Sequence, residues 1–200
     1  MAIATATQLS LLDEPGAALL DGFEYRPGLV TPEEEAELVE RFQALEFKPF
    51  EFHGYFGNRR VVSFGSQYDF AASRVRPAQD LPAFLLPLRD HAAAFAGLDP
   101  MALEHALVTE YSPGAGIGWH RDRPVFDDVI GISLAAPCRF RLRRKQGTTW
   151  RRAALNLEPR SAYLLRGPVR RSWEHSIPPV EHLRYSVTFR SKAPAASADR

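Results

Sequence analysis

This chain of 200 residues has a single cysteine, Cys138, and only two methionines. One thiol cannot close an internal disulfide, so the fold must hold by packing alone, as expected in a reducing compartment. Long apolar runs are missing as well. Nothing in the sequence approaches the roughly 18 consecutive apolar residues that a membrane-spanning helix needs. The first twenty residues, MAIATATQLSLLDEPGAALL, contain no Lys or Arg and carry Asp13 and Glu14, so they lack the basic start of a secretory signal. A cytoplasmic protein without a membrane partner is the expectation, and nothing in the composition points to a protein partner. Acids are nearly absent from residues 139 to 171, where ten Arg and Lys145 face only Glu158, whereas residues 1 to 58 hold eleven acids against three bases. The net charge of +1 conceals this polarity. A basic segment is either the footprint of a polyanion or a charged strand pair protected from edge aggregation.

What is present is 45% hydrophobic and 24% charged, the balance of a globular protein, and the length fits one domain over residues 1–200. Gln8 to Leu12 and Gly22 to Tyr25 read as short strands. Thr31-Pro32-Glu33-Glu34 supplies a cap residue, a proline at the first helical position and a carboxylate three residues on, which predicts a helix to about Leu45 with Leu38, Val39 and Phe42 inward. Phe50 to Phe70 is aromatic and β-branched, and Gly57-Asn58 predicts a turn between two strands. A helix from about Pro82 ends at Gly97. From Leu103 the chain becomes strand after strand: Val129 to Leu134, Cys138 to Arg143, Thr149 to Leu157, Ser161 to Leu165, Arg171 to Ile177 and Arg184 to Arg190. That count and spacing predict an antiparallel double sheet, mainly β with flanking helices and a jelly-roll (double-stranded β-helix) core.

The chemistry centres on YSPGAGIGWHRD, Tyr111 to Asp122. Pro113 and its three glycines predict a tight loop before a strand resumes at Trp119. His120 and Asp122 are two apart, so on a strand they share a face and can share an ion. His175 is a candidate third ligand. Two imidazoles and one carboxylate leave positions open opposite them, an arrangement suited to Fe(II) and oxygen chemistry. In RYSVTFR, Arg184, Ser186, Thr188 and Arg190 point to one face and Tyr185, Val187 and Phe189 to the other, which makes the first set a cradle for a dicarboxylate. In Cys138 to Arg143 the three arginines Arg139, Arg141 and Arg143 share a face. His53, His91, His105 and His182 read as ordinary surface or core histidines, Trp119 and Trp173 as core walls, and Arg121 and Arg123 as facing away from the ion.

These motifs, over about Glu51 to Ser191, resemble the AlkB-like branch of the Fe(II)- and 2-oxoglutarate-dependent dioxygenases, most sharply in YSPGAGIGWHRD, SWEHSIPP and RYSVTFR. The resemblance implies that His120, Asp122 and His175 hold Fe(II). It implies that Arg184 with Tyr111 takes the distal carboxylate of 2-oxoglutarate, that Arg190 lies near the keto-acid end and Asp122, and that Ser186 serves the cosubstrate, with O2 as oxidant. It also implies a catalytic core over 101–191, preceded in 1–100 by helices and a substrate lid near Phe50 to Phe70. Two positions depart from the DNA-repair members: Pro124 stands where they usually have an acid, and Ser186 where they have Asn. The expected reaction is hydroxylation or oxidative dealkylation of a base in single-stranded or damaged DNA or RNA, with Phe56, Phe64 and Tyr68 stacking on it and Arg60, Arg139 and Arg141 contacting the substrate. An oxygenase acting on a protein side chain or small molecule, and a binding module without catalysis, are the alternatives.

Overall fold

A computed structural model describes residues 8–10, 20–52, 55–69, 74–77 and 79–194, with the backbone alone considered for 8–10, 51–52, 55–57, 66–69 and 74–77. Fourteen strands are formed among these residues. They are β1 (Gln8–Ser10), β2 (Phe23–Arg26), β3 (Lys48–Phe52), β4 (Tyr55–Phe64), β5 (Ser66–Asp69), β6 (Arg74–Pro77), β7 (His105–Tyr111), β8 (Ile117–His120), β9 (Phe126–Leu134), β10 (Cys138–Gln146), β11 (Thr149–Leu157), β12 (Ser161–Leu165), β13 (Glu174–Ile177) and β14 (Arg184–Lys192). Three helices accompany them: α1 (Pro32–Gln43), α2 (Leu86–Ala96) and α3 (Gly167–Ser172).

The strands make a seven-stranded sheet in the order β2-β12-β9-β14-β7-β4-β3, a five-stranded sheet in the order β1-β11-β10-β13-β8, and a separate β5-β6 hairpin. Apart from the parallel β1–β11 pair, each of these named-strand pairings is antiparallel. The expected mainly-β jelly roll with flanking helices is therefore the observed architecture. Strands from the first hundred residues are woven into it, since β2 pairs with β12 and β4 with β7.

The seven-stranded sheet is buried on both faces. One face meets α1 and α2, where Phe42, Leu85 and Leu88 pack on Ile130, Ile132, Val187 and Phe189. The other meets the five-stranded sheet, where Phe140, Leu142 and Leu155 close on Phe23, Tyr163 and Leu165. The β14 alternation is as expected: Tyr185, Val187 and Phe189 go to the helices. Gly131 on β9 is required by this packing, because a Cβ there would lie 2.3 Å from the ring of Tyr163, which stacks on Phe140 at 4.5 Å.

The local signals of α1 hold fully. Thr31 accepts from the backbone N–H of Glu34, and the Glu34 carboxylate accepts from the backbone N–H of Thr31. α2 ends at Gly97, which is left-handed (φ 64°) as a C-terminal glycine should be. Three expectations need correction. Gly57-Asn58 lies within β4, not at a turn; the β3–β4 hairpin turns between Phe52 and Tyr55, which are paired. Residues 55–59 extend past the β4–β7 ladder, which runs over Arg60 to Phe64, and Gly57-Asn58 falls between Phe56 and Arg60, where the β3–β4 register shifts. A second hairpin, β5–β6, follows it. Finally, Arg171-Ser172 belong to α3, whose start is marked by Gly167-Pro168, and β13 begins only at Glu174. Among the described residues no helix is long and apolar enough to cross a membrane.

Candidate functional site

β8 and β13 run side by side with His120 opposite His175, and their imidazole centroids are 4.2 Å apart. Asp122 lies just beyond the end of β8 and not on it, so the pleat does not bring it to its neighbours. Arg170 of α3 does so instead. It donates through Nη1 to the Asp122 carbonyl at 3.2 Å and through Nη2 to the carbonyls of Arg123 and Phe126 at 2.6 and 2.8 Å. This side chain, buried and holding the whole 122–126 turn, falls in the sequence between the strands expected over Ser161 to Leu165 and Arg171 to Ile177, where no helix is expected. Gly116 permits the approach of the β8 strand from the other side, since a Cβ there would lie 2.7 Å from the carbonyl oxygen of Ile177.

The three side chains offer one ligand atom each within 4.8 Å of one another, the arrangement expected of a metal site. His120 Nδ1 lies 2.9 Å from the Gly118 carbonyl. A carbonyl only accepts, so Nδ1 carries the proton and Nε2 presents its lone pair. Burial pushes the His175 imidazole down to about 3, with His120 beside it acting in the same direction, and burial likewise lowers His120. Both rings are therefore neutral near pH 7, the state in which imidazole ligates. For Asp122, burial opposes ionisation, but Arg190, the two imidazoles and Arg170 hold its carboxyl well below the ordinary range. Arg190 donates through Nε to Asp122 Oδ1 at 2.8 Å, and its Nη2 lies 2.8 Å from the same oxygen in an ion pair. Behind it, Arg190 Nη1 is 3.2 Å from His105 Nδ1, so His105 is a core histidine, as expected, that joins the site's network.

Three buried side-chain polar atoms among the described residues are left without a hydrogen-bond partner: Arg170 Nε, on a guanidinium that three carbonyls already hold, and two that bear on what fits here. Asp122 Oδ2 accepts no hydrogen bond, and Arg184 Nη1 makes none. The Asp122 side chain is 5% exposed and Arg184 is 1% exposed, so water does not readily satisfy them. An orphan carboxylate oxygen among imidazoles suits a cation. An orphan guanidinium edge suits an anion. Arg184 Nε donates to Ser133 Oγ at 3.1 Å, and its guanidinium lies over the Tyr111 ring at 4.8 Å. Tyr111, Ser186 and Thr188 are buried beside it on β7 and β14.

The substrate candidates fare less evenly. Arg60 does not face the ligands. It makes a bidentate bond to Glu110 (2.8 and 2.9 Å), and Glu110 also accepts from Tyr185, whose ring belongs to the helix-side core. Alternation puts the neighbouring Arg59 on the sandwich side, where its guanidinium stacks over Phe50 at 3.8 Å. There its charge is felt by His120 and it feels Tyr111, while burial lowers its pKa. Phe64 is in the helix-side core, so it cannot stack on a base. Phe56 and Tyr68 lie on β4 and β5, and their side chains fall outside the described ones, as does His53. Trp173 is a core wall at 4% exposure, but Trp119 points to the outer face of the five-stranded sheet, against Arg141 and Arg143. Those two arginines and Arg139 are half-buried and alternate with buried Cys138, Phe140 and Leu142, as expected.

The family model of the 2OG-Fe(II) oxygenase superfamily matches residues 22–190. An Arabidopsis thaliana protein described as an alkylated DNA repair protein ALKBH8 homolog is 30% identical over 193 residues, covering 84% of this chain and 52% of that protein. The chain thus spans about half the length of that relative. Protein L905 of Acanthamoeba polyphaga mimivirus, itself uncharacterized, is 25% identical over 186 residues, with 86% of this chain and 85% of that protein covered. The solved structure of OsALKBH1 shares the fold, with a TM-score of 0.67 at 15% identity over 85% of this chain and 96% of that one. With the His-Asp-His cluster lying inside the matched span, the chain belongs to the 2OG-Fe(II) oxygenase superfamily, and its site suits the Fe(II) and 2-oxoglutarate by which that family is named.

Proposed function

We propose that this dioxygenase hydroxylates or dealkylates a base of alkylated, single-stranded or damaged nucleic acid. In this reading His120, Asp122 and His175 hold Fe(II), Arg184 with Tyr111 takes the distal carboxylate of 2-oxoglutarate, and Arg190 fixes Asp122. The observation that carries the cofactor assignment is that two of the unmatched buried atoms are Asp122 Oδ2 and Arg184 Nη1, one calling for a cation and the other for an anion. When bound, Fe(II) with 2-oxoglutarate and O2 supplies the oxidation, in which the cosubstrate becomes succinate and carbon dioxide and one oxygen atom enters a substrate C–H bond. The protein's own residues position and exclude. Arg190 keeps one Asp122 oxygen occupied so that the other faces the imidazoles, and Phe140 packs its ring 5.5 Å from that of His175. An N-methyl group hydroxylated here leaves as formaldehyde, with the proton returned to the nitrogen.

The nucleic-acid reading is supported by the repair-protein description of the Arabidopsis relative and by Arg59, a half-buried cation stacked on Phe50 beside the site. The hairpins β3–β4 and β5–β6 lie where the resemblance puts a substrate lid, and we assign them that role. A methylated peptide or small molecule is the second reading, favoured by Pro124 in place of the acid of repair members. The test is a panel of N-methylated single-stranded DNA, RNA and peptides with Fe(II) and 2-oxoglutarate. Formaldehyde and succinate should appear in equal amounts with a nucleic-acid member, and coupled release with a peptide alone would overturn the reading. On the same panel, Arg59→Ala should raise the KM of the oligonucleotide roughly tenfold, about 1.4 kcal/mol, by removing a partly desolvated contact to a phosphate or base edge. An unchanged KM would show that Arg59 does not meet substrate.

A further inference from the structure

The arginines of β10 present a problem that their sequence does not reveal. Charged residues on a sheet commonly guard an exposed edge. Yet β10 is the central strand of its sheet, and Arg141 and Arg143 are paired on both sides, with β11 and with β13, so at these two positions edge protection has nothing to protect. The register makes the arrangement more costly. Arg143 is opposite Arg152 and Arg139 is opposite Asn156, with Lys145 opposite Trp150. Like charges directly across a pair destabilise it. On this face the register leaves a single acid, Glu174, opposite Arg143.

The guanidinium groups are also ordered. Arg143 lies 4.3 Å from the centroids of both Trp119 and Trp150. Its Nε donates to Glu174 Oε2 at 2.6 Å. Arg141 sits 5.1 Å from the Trp119 ring and donates through Nε to Ser176 Oγ at 3.1 Å. Trp119 and Trp150 are half-buried, so part of each indole remains open. Fixed guanidinium groups interleaved with accessible aromatic rings are the elements that bind a single strand irrespective of sequence, phosphates to the cations and bases to the rings.

Position links this face to the metal site. Trp119 and His120 are consecutive on β8, whose alternation sends them to opposite faces, and β8 is the outermost strand of its sheet. Adjacent Cα atoms are about 3.8 Å apart, so a strand leaving the site reaches the Trp119 ring by passing round one edge. We propose that the outer face of the five-stranded sheet, centred on Trp119, Arg141, Arg143 and Trp150, is a track for the single strand flanking the target nucleotide. This rests on the nucleic-acid reading of the active site, which it extends from the reacting base to its neighbours.

The test uses the full chain with unmodified oligothymidylate and oligouridylate, without 2-oxoglutarate, so that binding is read apart from turnover. Of the three tryptophans, Trp173 is buried, and quenching of tryptophan fluorescence should therefore report Trp119 and Trp150. Arg141→Gln with Arg143→Gln should reduce the slope of log affinity against log salt by up to about 1.4, so that between 50 and 200 mM salt the parent loses roughly sevenfold more affinity than the variant. Glu174→Gln should act in the opposite direction, tightening binding at low salt, which a merely structural role for these residues would not produce. A preference for one oligonucleotide would identify the flanking strand as DNA or RNA. Absence of binding, binding without quenching, or parental slopes in all variants would overturn the proposal while leaving oxidation of an isolated alkylated base intact. Parental binding with no oxidation of any nucleic acid would instead overturn the reading of the active site.

Discussion

Asp122→Ala protein should release succinate at no more than about a thousandth of the parental rate, a loss of roughly 4 kcal/mol. The reason is the division of labour at this carboxylate. Oδ1 is approached by two nitrogens of Arg190, and Oδ2 accepts no hydrogen bond and has His175 Nε2 3.6 Å away, so the side chain offers one anionic atom to a cation and the variant offers none. Disturbing an outer partner of a ligand typically costs about 10–100-fold in metal affinity or activity, and removing the ligand itself should cost more. Arg170→Lys, which touches only the carbonyls of the 122–126 turn, supplies that milder comparison. The alanine variant also leaves Arg190, whose side chain is 11% exposed, with His105 as its remaining polar contact. An uncompensated buried charge costs about 3–5 kcal/mol, so Asp122→Ala should melt below Asp122→Asn, whose amide oxygen still accepts from Arg190. Succinate release and bound metal measured on both variants separate these effects. Full turnover by the alanine protein with stoichiometric iron would remove Asp122 from the metal site.

Much of this site is legible in the sequence because its parts are local and periodic. The period of two in Arg184 to Arg190 fixes which side chains share a face whatever the strand pairs with, and the structure sends Tyr185, Val187 and Phe189 to the helices. The capping box of α1 is likewise decided within four residues. What sequence could not supply depends on long-range register. Arg59 and Arg60 are adjacent, and a shift of one residue against β7 would exchange their faces. Only the pairing of Arg60 with Glu110 decides that Arg59 looks to the site. The same holds for Asp122, whose place beyond β8 is set by Arg170, 48 residues away. Trp119 reads as a core wall because it is large and next to a ligand, yet the face it takes follows from His120 facing inward on the same strand. α3 is six residues long, too short to show a helical period, and its basic residues merge with the basic run around them.

Replacing Arg184 should separate cosubstrate binding from stability, because the two are opposed at this residue. Arg170 and Arg184 each keep an unmatched buried nitrogen, but the Nη atoms of Arg170 are spent on three carbonyls, whereas Nη1 of Arg184 is open. Arg190 is engaged by Asp122 and His105, and Arg166, further along the sheet, by Asp128 and the Ala96 carbonyl. Arg184 has Ser133 Oγ and the face of Tyr111, but no carboxylate among the described residues within ion-pair distance, and its Nη1 is buried and unpaired. A buried cation without a counter-ion destabilises the protein that contains it, and an apolar side chain of similar volume is often better tolerated. Arg184→Met should therefore melt at the parental temperature or above it when 2-oxoglutarate is absent. The rise in melting temperature that 2-oxoglutarate gives the parent, which grows with ligand concentration relative to Kd, should disappear. Arg184→Lys keeps the charge but loses the planar fork, the Nε bond to Ser133 and the stacking on Tyr111, so its KM for 2-oxoglutarate should rise by roughly tenfold or more, at least about 1.4 kcal/mol. Thermal shifts and succinate kinetics across a 2-oxoglutarate series measure both effects. If both variants keep the parental KM, the distal carboxylate belongs to another cation, and Arg190 is the next to test because it lies on the same strand and face.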